Sequence, residues 1–315
     1  MAKPIIVSGV KPSGKLHLGN YLGALNNWLK IQNSNRYRCL FFIADYHSLT
    51  TLYNPQKKRG QIFDVACDYL AAGLDPKKSI IFIQSQVPEC TELAWIFNTL
   101  TPVSELERMA QFKDKAKRQK QNVNMGLFDY PVLQAADILL YKGELVPVGQ
   151  DQIQHVELTR DCAKWFNNKY KVKYFPESKP LLTETPKIMS LISPENKMEK
   201  TLGDKHCLYI DEPAEAIAAK LAKAVSTPAG IENLKTIYQA FKEKMAGEFN
   251  PEKMAETKKI IAEGIANYFA DFRAQKEKLK KDKKLVLDIL AEGRQKAQAI
   301  AQKNMAEIKK IIGVE

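Results

Sequence analysis

The stretch Pro12-Ser-Gly-Lys-Leu-His-Leu-Gly-Asn-Tyr-Leu-Gly23 follows the apolar run Ile5-Ile6-Val7 and combines turn formers with a histidine, an asparagine and small residues. A strand ending at Val7 or Ser8, a turn through Pro12, Ser13 and Gly14, and a helix starting near Leu16 bring backbone N–H groups and a helix N-terminus to a sheet edge. That arrangement suits an anion. The spacing is neither GxGxxG nor GxxxxGK[ST], so the dinucleotide and P-loop motifs are excluded. His17 and Asn20, three apart, project from one side of the first helical turn, and Gly19 lets a planar group approach the backbone. The plainer alternative is a helix cap with a satisfied histidine.

Two more clusters can do chemistry. Lys197 and Lys200, in Lys-Met-Glu-Lys-Thr201, put two cations in a loop after Pro194, and Lys113 and Lys115 open the basic run 113–120. Either is a phosphate contact or a solvated charge cluster. Tyr130, Gln134 and Asp137 fall on one stripe of an otherwise apolar helix. A buried carboxylate needs a donor. That donor belongs either to a ligand or, for a structural carboxylate, to the local backbone.

These residues need a scaffold that positions them. The runs Ile5-Ile6-Val7, Cys39-Leu-Phe-Phe-Ile43 and Ile80-Ile-Phe-Ile83 are continuously apolar, as in parallel strands buried on both faces. Between them, residues 56–74 carry helical periodicity, closing at Gly73-Leu-Asp-Pro76. The pattern predicts an α/β fold with a doubly wound parallel sheet, its ligands at the carboxyl ends of the strands. After Asp211 the chain turns Ala-, Lys- and Glu-rich with no convincing strand, which predicts an all-α second domain. The boundary falls near 205, giving domains 1–205 and 206–315. With 48 Lys and Arg against 36 Asp and Glu, the net charge of +12 favours phosphate-rich partners. The lysine-dense stretch 273–284 reads as a solvated helix face or a binding surface. Five scattered cysteines, no signal peptide and no apolar run long enough for a membrane span fit a cytoplasmic protein without a metal site.

Pro12 to Ala24 resembles the HIGH region of class I aminoacyl-tRNA synthetases in its tryptophanyl form. The likeness continues in order through Ala44-Asp-Tyr-His-Ser-Leu-Thr50, Phe82-Ile-Gln-Ser-Gln-Val-Pro88, Glu105-Leu-Glu-Arg-Met-Ala-Gln-Phe-Lys-Asp-Lys115, Tyr130-Pro-Val-Leu-Gln-Ala-Ala-Asp-Ile-Leu-Leu-Tyr141 and Val146-Pro-Val-Gly-Gln-Asp-Gln152, then Lys187-Ile-Met-Ser190 and Lys197-Met-Glu-Lys-Thr201. It covers residues 4–240 closely and the helical remainder more loosely. The resemblance implies that Pro12, Ser13, His17, Gly19 and Asn20 hold ATP, with His17 and Asn20 on phosphate oxygens and Gly19 leaving space for adenine. Lys197, Met198, Glu199, Lys200 and Thr201 then form a KMSKS-like loop that closes on pyrophosphate, and Lys115 reaches the same group. Gly149, Gln150 and Asp151 face the ribose, and Ile188 covers adenine. Val7, Gly9, His47, Tyr130, Gln134, Asp137, Val146, Val148 and Gln152 line a tryptophan site, with His47, Tyr130 and Gln152 as indole wall or ammonium partners. His155 is expected to be structural, and His206 has no assigned role.

Three positions depart from the family. Lys11 stands where glutamine is usual and adds a cation toward ATP or the substrate carboxylate. Glu199 replaces the central serine of the loop and can pair with its lysines or repel phosphate, so closure is expected to be slower or more dependent on Mg²⁺. Gln134 replaces methionine, and with Tyr130 and Asp137 it also resembles the tyrosyl pattern; tyrosyl enzymes, however, carry a tyrosine where Val7 stands, and Val7 cannot bond a phenol. The resemblance implies ATP-dependent activation of L-tryptophan with Mg²⁺ bound to the nucleotide, and transfer to tRNA(Trp). It also implies a homodimer joined through residues 90–140 and an anticodon-reading helical domain. The rivals are tyrosyl specificity and a non-catalytic RNA-binding paralogue, which Glu199 alone favours.

Overall fold

The three apolar runs form parallel strands β1 (Ile5–Val10), β2 (Arg38–Ile43) and β3 (Ser79–Ile83). A computed structural model of the chain describes residues 3–113, 123–182 and 186–314. Two further parallel strands, β4 (Leu145–Val148) and β5 (Lys179–Leu182), complete a five-stranded sheet of order β3-β2-β1-β4-β5. Neither was expected. Each is short and contains a proline, Pro147 or Pro180, which removes a ladder donor and weakens the strand signal. The winding reverses between β1 and β4, so the crevice of this doubly wound fold opens at the carboxyl ends of those two strands.

The helices are α1 (Leu18–Asn20, a π-helical turn Tyr21–Leu25, and Asn26–Asn33), α2 (Pro55–Ala71), α3 (Glu89–Asn98), α4 (Val103–Glu107), α5 (Met125–Leu139) and α6 (Ile153–Lys169). Helix α2 starts where Asn54 accepts the Gln56 N–H at 2.9 Å, with Pro55 at its first position. It ends three residues earlier than its periodicity suggests, because Gly73 takes a positive φ of 108°. Beyond Leu182 there is no named strand among the described residues; α7 (Ala214–Lys223), α8 (Pro228–Ala240), α9 (Met254–Tyr268), α10 (Ala270–Lys281) and α11 (Lys283–Ile312) follow.

Alternate residues of each strand face opposite layers. Ile6, Phe41, Ile43 and Ile81 point into a core shared with α1, α2 and the helices α7 to α10, whereas Val7, Leu40, Phe42 and Phe82 meet α3, α5 and α6. Helix α11 joins both. Its Val286 and Leu290 belong to the first core and its Ala297, Ala301, Met305 and Ile308 to the second, so it wraps the free edge of β3. Farther on, Asn304 Nδ2 donates to Leu140 O at 2.7 Å, and the Tyr174 hydroxyl donates to Asn304 O at 3.1 Å.

Close approach at that edge requires glycine. A Cβ on Gly293 would lie 1.8 Å from the Ile81 carbonyl oxygen, so Gly293→Ala must push α11 off β3. The expected cost is about 2–3 kcal/mol, read as a lower urea midpoint with unchanged m-value.

Candidate functional site

The chain leaves β1 through a turn at Lys11–Gly14, in which Ser13 N–H reaches Lys11 O at 2.9 Å and Gly14 has φ +99°, a conformation open to glycine. His17 caps α1 with an extended backbone, and Asn20 reaches back to accept its N–H at 3.3 Å. The histidine ring lies over Gly19, where a Cβ would come within 3.0–3.1 Å of it. His17 is 7% exposed, and its Nδ1 has no hydrogen-bond partner among the described residues. Burial, helped by the nearby Lys200 ammonium, lowers its pKa to about 4, so the ring is neutral at physiological pH.

The loop carrying Lys197 and Lys200 arrives from the far end of the sheet. Met198 N–H donates to Ile188 O at 3.0 Å and Ser190 N–H to Asn196 O at 2.9 Å, closing a narrow hairpin that buries Ile188 and Met198. Its base is fixed by the Ser190 hydroxyl against His206 Nδ1 at 2.8 Å, which accounts for the unassigned His206. Just past the hairpin, Lys200 Nζ donates to Gly14 O at 3.1 Å and to Ser13 O at 3.4 Å. Residues 187 apart in sequence thus meet across the mouth of the crevice. Burial lowers the Lys200 pKa to about 8 against the opposing pull of Asp68 and Asp211. Lys197 is exposed; Glu199 is half-buried and accepts the Thr201 hydroxyl at 3.4 Å.

The other side of the crevice is built around Asp137, which is 2% exposed on α5. His47 Nε2 donates to its Oδ2 at 2.7 Å, and Gln84 Nε2 lies 2.9 Å from Oδ1 and 2.8 Å from Oδ2. Gln84 Oε1 in turn accepts the Tyr46 and His47 N–H groups at 3.1 and 3.4 Å. The carboxylate is therefore pinned rather than adaptable. Those three contacts leave room for one more donor on its roughly four acceptor positions. Tyr130 stands beside it, 6.4 Å from His47 ring to ring, with its hydroxyl 2.9 Å from His155 Nε2. Lys11 Nζ sits 5.5 Å over the Tyr130 ring and 3.4 Å from Thr50 Oγ1, between the anion turn and the Asp137 side.

Gln84 and Lys58 were not singled out in the sequence. Gln84 lay inside the motif Phe82–Pro88 without a role, since nothing local shows that the end of β3 faces α5. Lys58 donates to Ser48 Oγ at 2.8 Å and Pro12 O at 3.5 Å, and burial lowers its pKa; in Gln-Lys-Lys-Arg59 it reads as one charge among several on a helix start.

Gly149, Gln150 and Gln152 sit on the turn after β4, at its carboxyl end. Val7 is fully buried in the core, Val146 and Val148 are buried in β4, and Gly9 is held small by Phe42, 2.7 Å from its would-be Cβ. Gln134 is half-buried on α5. Lys115 and the Asp151 side chain lie outside the described residues. A groove of about 710 Å³ between α7 and α9 is distant from all of these and lined largely by alanines.

This geometry can hold an anion between a neutral histidine, backbone amides and an ammonium, next to a fixed carboxylate acceptor. The family of class I tRNA synthetases (W and Y) matches residues 1–291, and the chain belongs to it. Among its relatives, a tryptophan–tRNA ligase of Rickettsia conorii is 40% identical over 328 residues, covering 99% of each chain. The crystal structure of tryptophanyl-tRNA synthetase from Campylobacter jejuni complexed with ADP and tryptophan superposes with a TM-score of 0.84 at 31% identity, covering 98% of this chain and 99% of that one. That from Mycoplasma pneumoniae gives 0.85 at 31% identity, over 99% and 98% of the two chains.

The His17 environment has a signature in stability. Its folded pKa of about 4 lies below the ordinary 6.5, so the unfolded chain binds the extra proton between those values. The stability it contributes is complete above pH 6.5 and is lost as pH falls toward 4. Asp68, raised to about 6, acts in the opposite sense in both proteins and cancels in their difference. The stability gap between native protein and His17→Gln should shrink from pH 7 to pH 4 in denaturant titrations; parallel profiles would contradict a buried neutral ring.

Proposed function

We infer that the chain is a tryptophan–tRNA ligase: it couples L-tryptophan to ATP as tryptophanyl adenylate with release of pyrophosphate, then transfers the tryptophanyl group to the terminal ribose hydroxyl of its tRNA. The observation that carries this reading is the contact of Lys200 with the Ser13–Gly14 turn beside an uncharged His17. A substrate carboxylate oxygen attacks the α-phosphorus, the bond to the β-phosphate bridge breaks, and negative charge builds on the departing pyrophosphate. No protein nucleophile is needed; positioning and electrostatics lower the barrier. The backbone amides of the turn, Asn20 and the free ring nitrogen of His17 take phosphate oxygens, Lys197 and Lys200 follow the leaving group, and Gly19 with Ile188 leaves a slot for adenine. Mg²⁺ arrives with ATP, keeping its waters and phosphate ligands; among the described residues, no group of three or more His, Cys, Asp and Glu is placed to hold a metal ion.

Selection of the amino acid falls to Asp137. Held by His47 and Gln84, it presents its remaining acceptor position to an indole N–H. Phenylalanine would leave that buried charge underbonded, and Val7 has no group to bond a phenol. The basic charge balance supports a tRNA partner, with residues 1–205 catalytic and 206–315 reading the anticodon. Trp95, Val103 and Met125, which are 71%, 62% and 73% exposed, support a homodimer formed through residues 90–140. Five free, buried cysteines fit the cytoplasm, and no helix among the described residues is long and apolar enough to cross a membrane.

Pyrophosphate exchange measured with tryptophan and with tyrosine separates the readings: a tryptophan-dependent rate is expected, a faster tyrosine-dependent rate would establish tyrosyl specificity, and no exchange with either would leave a binding protein. Asp137→Asn should lower kcat/KM for tryptophan by about one to two orders of magnitude while sparing the KM for ATP.

Lys200 supplies a pH test. Its cation is needed and its pKa is about 8, so kcat/KM for ATP should fall as pH rises through that value. In Lys200→Arg, whose guanidinium stays charged, the profile should remain flat.

A further inference from the structure

Lys276 lies on α10, yet its ammonium is buried beneath the crevice, 2.6 Å from Asp68 Oδ1 of α2 and 2.9 Å from Asp211 Oδ2. Lys276 is 4% exposed and Asp68 1%. Burying such charges costs several kcal/mol for each ion, and apolar side chains of equal volume would hold the three elements together at least as well. The cluster is not even fully satisfied, because Asp68 Oδ2 has no hydrogen-bond partner among the described residues. Cohesion alone does not account for it.

The location of Asp211 does. It ends the segment that follows the 197–201 loop, and that segment pairs with the start of α1: Leu18 N–H donates to Leu208 O at 2.9 Å and Ile210 N–H to Leu16 O at 3.0 Å. His17 sits between those two bonds. Lys15 Nζ comes within 3.8 Å of the second Asp211 oxygen. A second tie runs from the same helical layer to α1, where the Tyr21 and Tyr268 hydroxyls are 2.8 Å apart.

We propose that Lys276 is a positioning residue for amino acid activation: by bridging Asp68 and Asp211 it holds residues 207–211 against residues 16–18 and thereby sets the approach of Lys200 to His17 across the crevice. The helical half of the chain thus takes part in placing the two phosphate-binding elements. The catalytic part of the proposal rests on the ligase reading above.

Lys276→Met alone would strand Asp68 at 1% exposure, so the informative protein is the double variant Lys276→Met with Asp68→Leu, which removes the two most deeply buried charges together and leaves Asp211, 12% exposed, to Lys15. It should melt near the native temperature and keep the native KM for tryptophan. Its kcat/KM for ATP in pyrophosphate exchange should fall about 10- to 100-fold, with Lys276→Arg recovering part of the loss. In the unliganded protein, the Leu18 and Ile210 amides should exchange with solvent about tenfold faster while those of α5 keep their rate. Native ATP kinetics in the folded double variant, or unchanged protection of the two amides, would overturn the proposal. If the native protein shows no exchange activity, the ligase reading fails, and the two amides alone decide whether Lys276 positions the segment.

Discussion

An ammonium on a loop after β5 rests on the carbonyls of a turn after β1, and the crevice depends on that meeting. Lys200 is half-buried, its pKa is pulled down to about 8, and its hydrogen bonds go to neutral oxygens, the Ser13 and Gly14 carbonyls and the Ser13 hydroxyl. Among the described residues no carboxylate pairs with it directly, which leaves a poorly compensated cation that, in the proposed reaction, exchanges carbonyls for phosphate oxygens. The neutral His17 beside it is the other side of the same electrostatics. A second positive charge at that distance would be costly, and an uncharged ring can still offer a hydrogen bond.

The proposed amino acid side follows the opposite strategy. Asp137 is a buried charge surrounded by donors, with His47 and Gln84 fixing its orientation before any substrate arrives. Preorganisation of this kind makes selectivity steep, because a ligand without a matching N–H leaves a buried carboxylate short of a bond. The two halves are joined by the turn after β1, where Lys11 reaches toward Tyr130 while Ser13 and Gly14 face Lys200. The switch point between β1 and β4 brings both to the same end of the sheet.

The helical half is built into this arrangement rather than appended to it. Helix α11 closes the edge of β3, α10 inserts Lys276 under α2, and Tyr268 meets Tyr21 at the first turn of α1. Removing those helices would uncover the edge of β3 and part of both cores and loosen the segment that holds the start of α1. Stability and site geometry therefore draw on the same contacts.

The strands β1 to β3, helix α2 and the anion turn were legible in the residues themselves, because continuous apolar runs, 3.6-residue periodicity and Pro/Ser/Gly turn chemistry are local properties. The motif order from Pro12 to Thr201 identified the family for the same reason. Strands β4 and β5 were hidden by their prolines, and Gln84, Lys58 and Lys276 were indistinguishable from ordinary polar positions, because what singles them out is a partner about 40 to 210 residues away. The path of α11 along β3 was equally invisible, since a small-residue helix face declares that something approaches closely but not what. Residue types thus determined which chemistry was present. Only the tertiary structure decided which groups are buried together, and burial sets both the charge of His17 and Lys200 and the direction in which Asp137 can accept.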